Sequence, residues 1–85
     1  MIEKEIIRMT NEVFSESFEI PAGKLVPEAN IFNDLGLDSL DVVDLVVALQ
    51  KKFGVTIRDD MRVRTIRTLG DLYNFIHLIK GDVNT

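Results

Sequence analysis

The sequence predicts an all-α fold: a four-helix bundle with three longer helices, one short helix and a long loop between helices 1 and 2. Three observations point that way. Apolar residues recur at helical spacing in three separate stretches. No run alternates apolar and polar residues like a half-buried strand, although Val55-Thr56-Ile57 could form a short extended piece. The turn-forming residues Pro21, Gly23, Pro27, Asn30, Asn33 and Gly36 gather in one connection. With 85 residues the chain is a single domain, 1–85, able to bury one core without a disulfide or structural metal.

The first helix is expected over residues 2–18, where Ile2, Ile6, Met9, Val13 and Phe14 follow one face and Phe18 lies beyond. From Ile20 to Asp38 the period breaks. A connection of this length is unusual in a compact domain and signals function or disorder. Leu25, Val26, Ile31, Phe32, Leu35 and Leu37 are too apolar for disorder, so a loop pinned by its own side chains is expected.

The clearest helix runs from Ser39 to Phe53. Asp38 and Ser39 are both good N-caps, and Asp41 adds a negative charge in the first turn. If Ser39 were the cap, replacing it with alanine would cost about 1 kcal/mol. Lys51 and Lys52 suit the last turn, and Gly54 follows as a left-handed stop. The polar stretch Arg58-Asp59-Asp60-Met61-Arg62 could form the short helix. Thr68 can cap the last helix, with Asp71 in a capping-box position; Leu69, Leu72, Ile76 and Ile79 share a face with Tyr73 and Phe75 beside it, and Gly81 is expected to close it.

Composition excludes several functions. Cysteine is absent, which removes disulfides, thiolate metal sites and a cysteine nucleophile. The first residues lack both the basic start and the uninterrupted apolar run of a signal peptide, and no segment approaches the roughly 20 apolar residues of a membrane span, so a cytoplasmic protein without membrane insertion is expected. Charge is uneven. Residues 1–49 hold ten acids against Lys4, Arg8 and Lys24, a net −7; residues 50–85 hold four acids against seven bases, a net +3. An acidic surface repels nucleic acid and attracts basic protein patches. Binding of nucleic acid is therefore not expected, despite Arg58, Arg62, Arg64 and Arg67.

The Ser39–Phe53 helix has more apolar surface than a small core needs. Val42, Leu45, Val46, Leu49 and Phe53 form one stripe, and Leu40, Val43 and Val47 form a second line edged by Asp41 and Asp44. Periodicity alone favours burial of both. The acidic edge favours exposure of the second, because carboxylates are rarely buried without partners.

A serine opening a helix is ordinarily only a cap. Here the run Asp34-Leu35-Gly36-Leu37-Asp38-Ser39-Leu40-Asp41 resembles the signature of acyl carrier proteins, the Asp-Ser-Leu motif after a leucine-glycine loop. The stretches Val42–Leu49 and Phe53–Ile57 are similar to that family's second helix and the loop after it. The resemblance spans nearly the whole chain and is strongest from Ile31 to Ile57. It implies that Ser39 receives 4′-phosphopantetheine from coenzyme A, through a magnesium-dependent phosphopantetheinyl transferase, and that the chain is a covalent substrate of its partners rather than an enzyme. It further implies that Asp38, Leu40, Asp41, Val43, Asp44 and Val47 recognise acyl-transferring, condensing or acyl-activating enzymes with basic docking surfaces. Phe32, Val42, Leu45, Val46, Leu49, Phe53 and Leu72 would line the core that accepts the acyl chain. No bound metal and a monomeric state are expected. Two departures, Gln50-Lys51-Lys52 where acids are usual and the arginines between 58 and 67, suggest a specialised carrier.

Gly36 and Ser39 also satisfy the spacing of peptidyl carriers of nonribosomal synthesis, but the acids around Ser39 favour the acyl branch. A helical adaptor in which Ser39 only caps is the reading from another class. A serine hydrolase would need a base near Ser39, and the only histidine, His77, lies far along the chain with no nucleophile-elbow motif at the serine. Asp34 and Asp38 are too few for a calcium loop.

Overall fold

Three helices, α1 (Lys4–Phe18), α2 (Ser39–Phe53) and α3 (Leu69–Val83), form the frame of the computed structural model, which describes residues 4–57 and 65–83. A short 3-10 turn covers Ala22–Lys24. There is no strand among the described residues, only an isolated antiparallel bridge between Asn30 and Thr68. The expected short helix at 58–62 and the start of the first helix at Ile2 lie outside the described residues.

Each helix forms for identifiable local reasons. On the outer side of α1, Arg8 pairs with Glu5 at 2.7 Å and Glu12 at 2.8 Å. Such exposed pairs contribute only a few tenths of a kcal/mol each. The inner side buries Ile6, Val13 and Phe14, which is the larger effect. Met9 is only half-buried, and Thr10 takes the fully buried place on that turn. At the other end of α2, Gly54 adopts the left-handed conformation (φ 66°) and its N–H reaches the Gln50 carbonyl at 2.9 Å. Its lack of a Cβ makes that turn inexpensive.

Helix α3 opens on the expected reciprocal cap. The Asp71 N–H donates to Thr68 Oγ1 at 3.2 Å, and the Thr68 and Arg67 N–H groups donate to Asp71 Oδ2 at 3.1 Å each. These backbone donors hold the Asp71 carboxyl below the usual carboxylate range. A lowered folded-state pKa stabilises the fold above the unfolded value, near pH 4, and that contribution is lost as pH falls through the folded value. Melting curves between pH 7 and pH 3 should therefore lose less stability in Asp71→Asn than in the parent protein; equal losses would show that this cap carries no pH dependence. The expected stop at Gly81 is corrected, since α3 continues to Val83. Glycine inside a helix costs about 1 kcal/mol but does not itself end it.

The helices meet on Phe14, Leu49, Leu69, Tyr73 and Ile76, all essentially inaccessible. Tyr73 ties α3 to α1 by donating its hydroxyl to Asn11 Oδ1 at 2.6 Å, and burial pushes the phenol pKa up. Lys52 on α2 faces Glu16 and Glu12 of α1 at 3.6 and 3.9 Å. The long connection is pinned as its apolar content implies: Leu25, Ala29, Ile31 and Leu37 are buried. It is also sewn to the start of α3, by Ile31 N–H to the Arg67 carbonyl (2.8 Å), Leu69 N–H to Ala29 (3.0 Å) and Gly70 N–H to Pro27 (2.9 Å).

One core group is out of register with this economy. Thr10 is fully buried and its hydroxyl has no hydrogen-bond partner among the described residues. An unsatisfied buried polar group costs about 1–3 kcal/mol. Thr10→Val, of the same shape, should raise stability by about 1 kcal/mol in denaturant titration; a loss would mean the hydroxyl finds a partner in solution.

Candidate functional site

The site is built from the end of the loop and the start of α2. Asn30 organises the loop: its Oδ1 accepts from Phe32 N–H (2.9 Å) and Asn33 N–H (2.8 Å), while its own N–H donates to Asp34 Oδ2 (2.7 Å). The Leu37 N–H then returns to the Ile31 carbonyl at 3.2 Å. Gly36 takes a positive φ of 76°, a conformation other residues rarely adopt. That turn buries Leu37 while Asp38, Ser39 and Leu40 stay exposed.

Asp38, not Ser39, is the N-cap. Asp38 Oδ1 accepts from Leu40 N–H at 3.0 Å and Asp41 N–H at 2.9 Å, and Asp41 Oδ2 accepts from Asp38 N–H at 3.1 Å. Ser39 is the first helical residue, and its hydroxyl has no partner among the described residues. This corrects the cost of about 1 kcal/mol attached to a capping serine. Nor would a phosphate at this helix start rest among free N–H groups. With Val42 N–H on the Asp38 carbonyl (3.1 Å), the first-turn donors other than that of Ser39 are already engaged. A phosphate on Ser39 would feel the favourable helix dipole without a cradle, so it would project into solvent on a short tether.

The second apolar line of α2 is exposed. Leu40, Val43 and Val47 are 78%, 61% and 43% accessible, respectively. Asp38 and Asp44 are exposed beside them and Asp41 is half-buried; Asp38 and Asp41 each use one carboxylate oxygen in the cap and keep the other. Towards the far end of the helix, Lys52 is turned to α1 by its pairing with Glu16, which leaves Lys51 as the outward cation.

On the opposite side of α2, an apolar cleft opens between α2, α3 and the loops. Phe32, Val42, Leu45, Val46, Leu49 and Leu72 all line it. Phe53 does not; it is half-buried at the core's edge. Ile31, Ile57, Ile66 and Phe75 complete the lining and are not among the residues that the sequence assigns to it. Three of them sit in or beside loops, where no periodicity assigns a face. The free volume is ≈ 40 Å³, room for a few waters, since one water needs about 10–15 Å³ on that measure. His77 is exposed on α3.

A helix-start serine held outward, an exposed apolar strip and an apolar cleft behind it fit one class of protein, a carrier modified by a prosthetic arm. Comparison with known proteins agrees. The family model described as phosphopantetheine attachment site matches residues 11–76. An acyl carrier protein of Thermobifida fusca is 40% identical over 74 residues, 87% of this chain and 92% of that protein. An acyl carrier protein of Prochlorococcus marinus is 38% identical over 81 residues, 95% of this chain and all of that protein. Acyl carrier protein 2 of Ralstonia nicotianae is 39% identical over 72 residues, 85% and 88% of the two chains. The chain belongs to the acyl carrier protein family. It is a carrier of acyl groups on covalent 4′-phosphopantetheine and a substrate for partner enzymes, a phosphopantetheinyl transferase among them, rather than a catalyst.

Proposed function

We propose that Ser39 is the attachment residue. The observation that carries this reading is its position: the first residue of α2, exposed, with a hydroxyl that has no partner among the described residues because Asp38 does the capping. The arm's terminal thiol supplies the thioester link to the acyl group. The chain's own contribution is to present that link and guide its partners. Leu40, Val43 and Val47 offer apolar contact. Asp38, Asp41 and Asp44 offer charge to basic docking surfaces on the transferase and on acyl-transferring, condensing or acyl-activating enzymes. The cleft behind α2 receives the acyl chain when its walls part. We assign the carrier to fatty acid, lipid or polyketide-type biosynthesis, as a monomer serving a dedicated set of enzymes. A cytoplasmic site suits an arm whose thiol must stay reduced.

Incubating the purified apo chain with coenzyme A, magnesium and a broad-specificity phosphopantetheinyl transferase tests the assignment. Intact mass should rise by one phosphopantetheine, and peptide mapping should locate it on Ser39. Modification at another residue would overturn the assignment.

The docking strip makes a separate prediction. Because Leu40 and Val43 are exposed, the Leu40→Ser/Val43→Ser variant should keep its stability to within about 0.5 kcal/mol. Its transfer efficiency (kcat/KM) with that transferase should fall at least about tenfold, as for loss of an interface anchor. Unchanged kinetics would remove the strip from recognition.

A further inference from the structure

The cleft behind α2 is too small, at ≈ 40 Å³, to hold more than the shortest acyl groups without moving a wall, so the wall that yields sets how long a chain can enter. Most of its lining is fixed by extended structure. Val42, Leu45, Val46 and Leu49 belong to α2, and Leu72 and Phe75 to α3. On the loop side, Ile31 and Phe32 are held at several points: Ile31 N–H on Arg67, Leu37 N–H on the Ile31 carbonyl, and Phe32 N–H on Asn30 Oδ1.

Ile57 is different. It is buried (7% accessible) in the cleft wall, yet it lies in the irregular segment after Gly54, outside any helix. The half-buried side chain of Gln50 reaches seven residues forward, and its Oε1 accepts the Ile57 N–H at 2.7 Å. The backbone carbonyl of the same residue accepts the Gly54 N–H at 2.9 Å. Gln50 therefore holds both ends of the Gly54–Ile57 turn on the last part of α2.

We propose that Gln50 is a positioning residue for acyl-chain specificity: by anchoring Ile57 against α2 it sets the size of group the cleft admits. Released from that anchor, Ile57 can swing outward while the helical walls stay in place, and the preference shifts to longer or bulkier chains. A glutamate at this position would keep the acceptor oxygen and the anchor. The inference rests on the reading that the cleft receives the acyl chain.

The test uses the full chain as parent, Gln50→Ala and Gln50→Glu. Each is loaded by phosphopantetheinyl transferase from acetyl-, butyryl-, hexanoyl-, octanoyl- and decanoyl-coenzyme A. Amide hydrogen exchange at Ile57 and the melting temperature of each acyl form relative to its own holo form are measured. Exchange at Ile57 should quicken several-fold in Gln50→Ala and return towards the parent rate in Gln50→Glu. The chain length giving the largest acyl-dependent rise in melting temperature should move upward in Gln50→Ala alone. A general loss of stability cannot imitate that shift, because each form is referred to its own holo protein. An unchanged length profile in Gln50→Ala, with acyl chains still stabilising the parent, overturns the role of Gln50. If no chain of any length stabilises the parent, the cleft reading falls and the inference with it.

Discussion

Ser39→Ala is expected to stay at the apo mass after exhaustive treatment with coenzyme A, magnesium and transferase, and to accept no acyl group, while unfolding like the parent protein. Both halves follow from one geometry. The hydroxyl is exposed and has no partner among the described residues, so its removal opens no cavity and strands no donor. The cap that starts α2 is Asp38, with Asp41 answering it. Alanine is in addition a better helix former than serine, by a few tenths of a kcal/mol. The change in unfolding free energy should thus stay within about 0.5 kcal/mol, against complete loss of modification. This pairing separates the carrier from a helical adaptor, for which Ser39 would matter only to stability. A variant still modified, or one losing the stability of a capping residue, would refute the assignment.

Phe14→Ala should produce the largest loss of stability among substitutions in α1. Phe14 is completely buried, packs 6.1 Å (centroid to centroid) from the Phe18 ring, and sits in the cluster shared with residues of α2 and α3. Replacing a buried phenylalanine by alanine typically costs about 3–5 kcal/mol, from lost transfer energy and the cavity left behind. Small domains hold only roughly 5–15 kcal/mol in total. The denaturant midpoint should fall steeply with the slope nearly unchanged, and partial unfolding near 37 °C is expected. A loss under about 1 kcal/mol would mean the core collapses around the site instead of keeping a cavity.

Much of this was legible because it is local. The start of α2, its dipole-matched charges and its glycine stop occupy consecutive residues, so short-range chemistry determines them. The Thr68–Asp71 cap was legible for the same reason. The left-handed Glu19 (φ 56°) at the end of α1 was not, since no glycine marks it. Gly81 carried a stop signal that the helix overrides. Of the cleft's lining, Val42, Leu45, Val46 and Leu49 share one helical stripe that the sequence displays, whereas Phe53 of the same stripe packs at the core's edge, and no pattern in the sequence assigns Ile57 and Ile66 to a wall. A stripe gives an angle around the helix axis, but how far along the axis the neighbouring elements reach depends on their own placement.

Ser39 itself illustrates the division. The sequence by itself determined that a helix begins at this point, that its motif resembles a carrier's, and that two apolar lines run along the helix. Only the tertiary structure decided that Asp38 caps while Ser39 stays free, and that Leu45 and Leu49 are buried while Leu40 and Val43 face solvent. Helical periodicity orders side chains around an axis, but it carries no information about which sectors other elements cover. Here α1 packs against α2, while α3 and the loop bridged to Thr68 close the core and cleft on that same side, and the side carrying Leu40 and Val43 is left open.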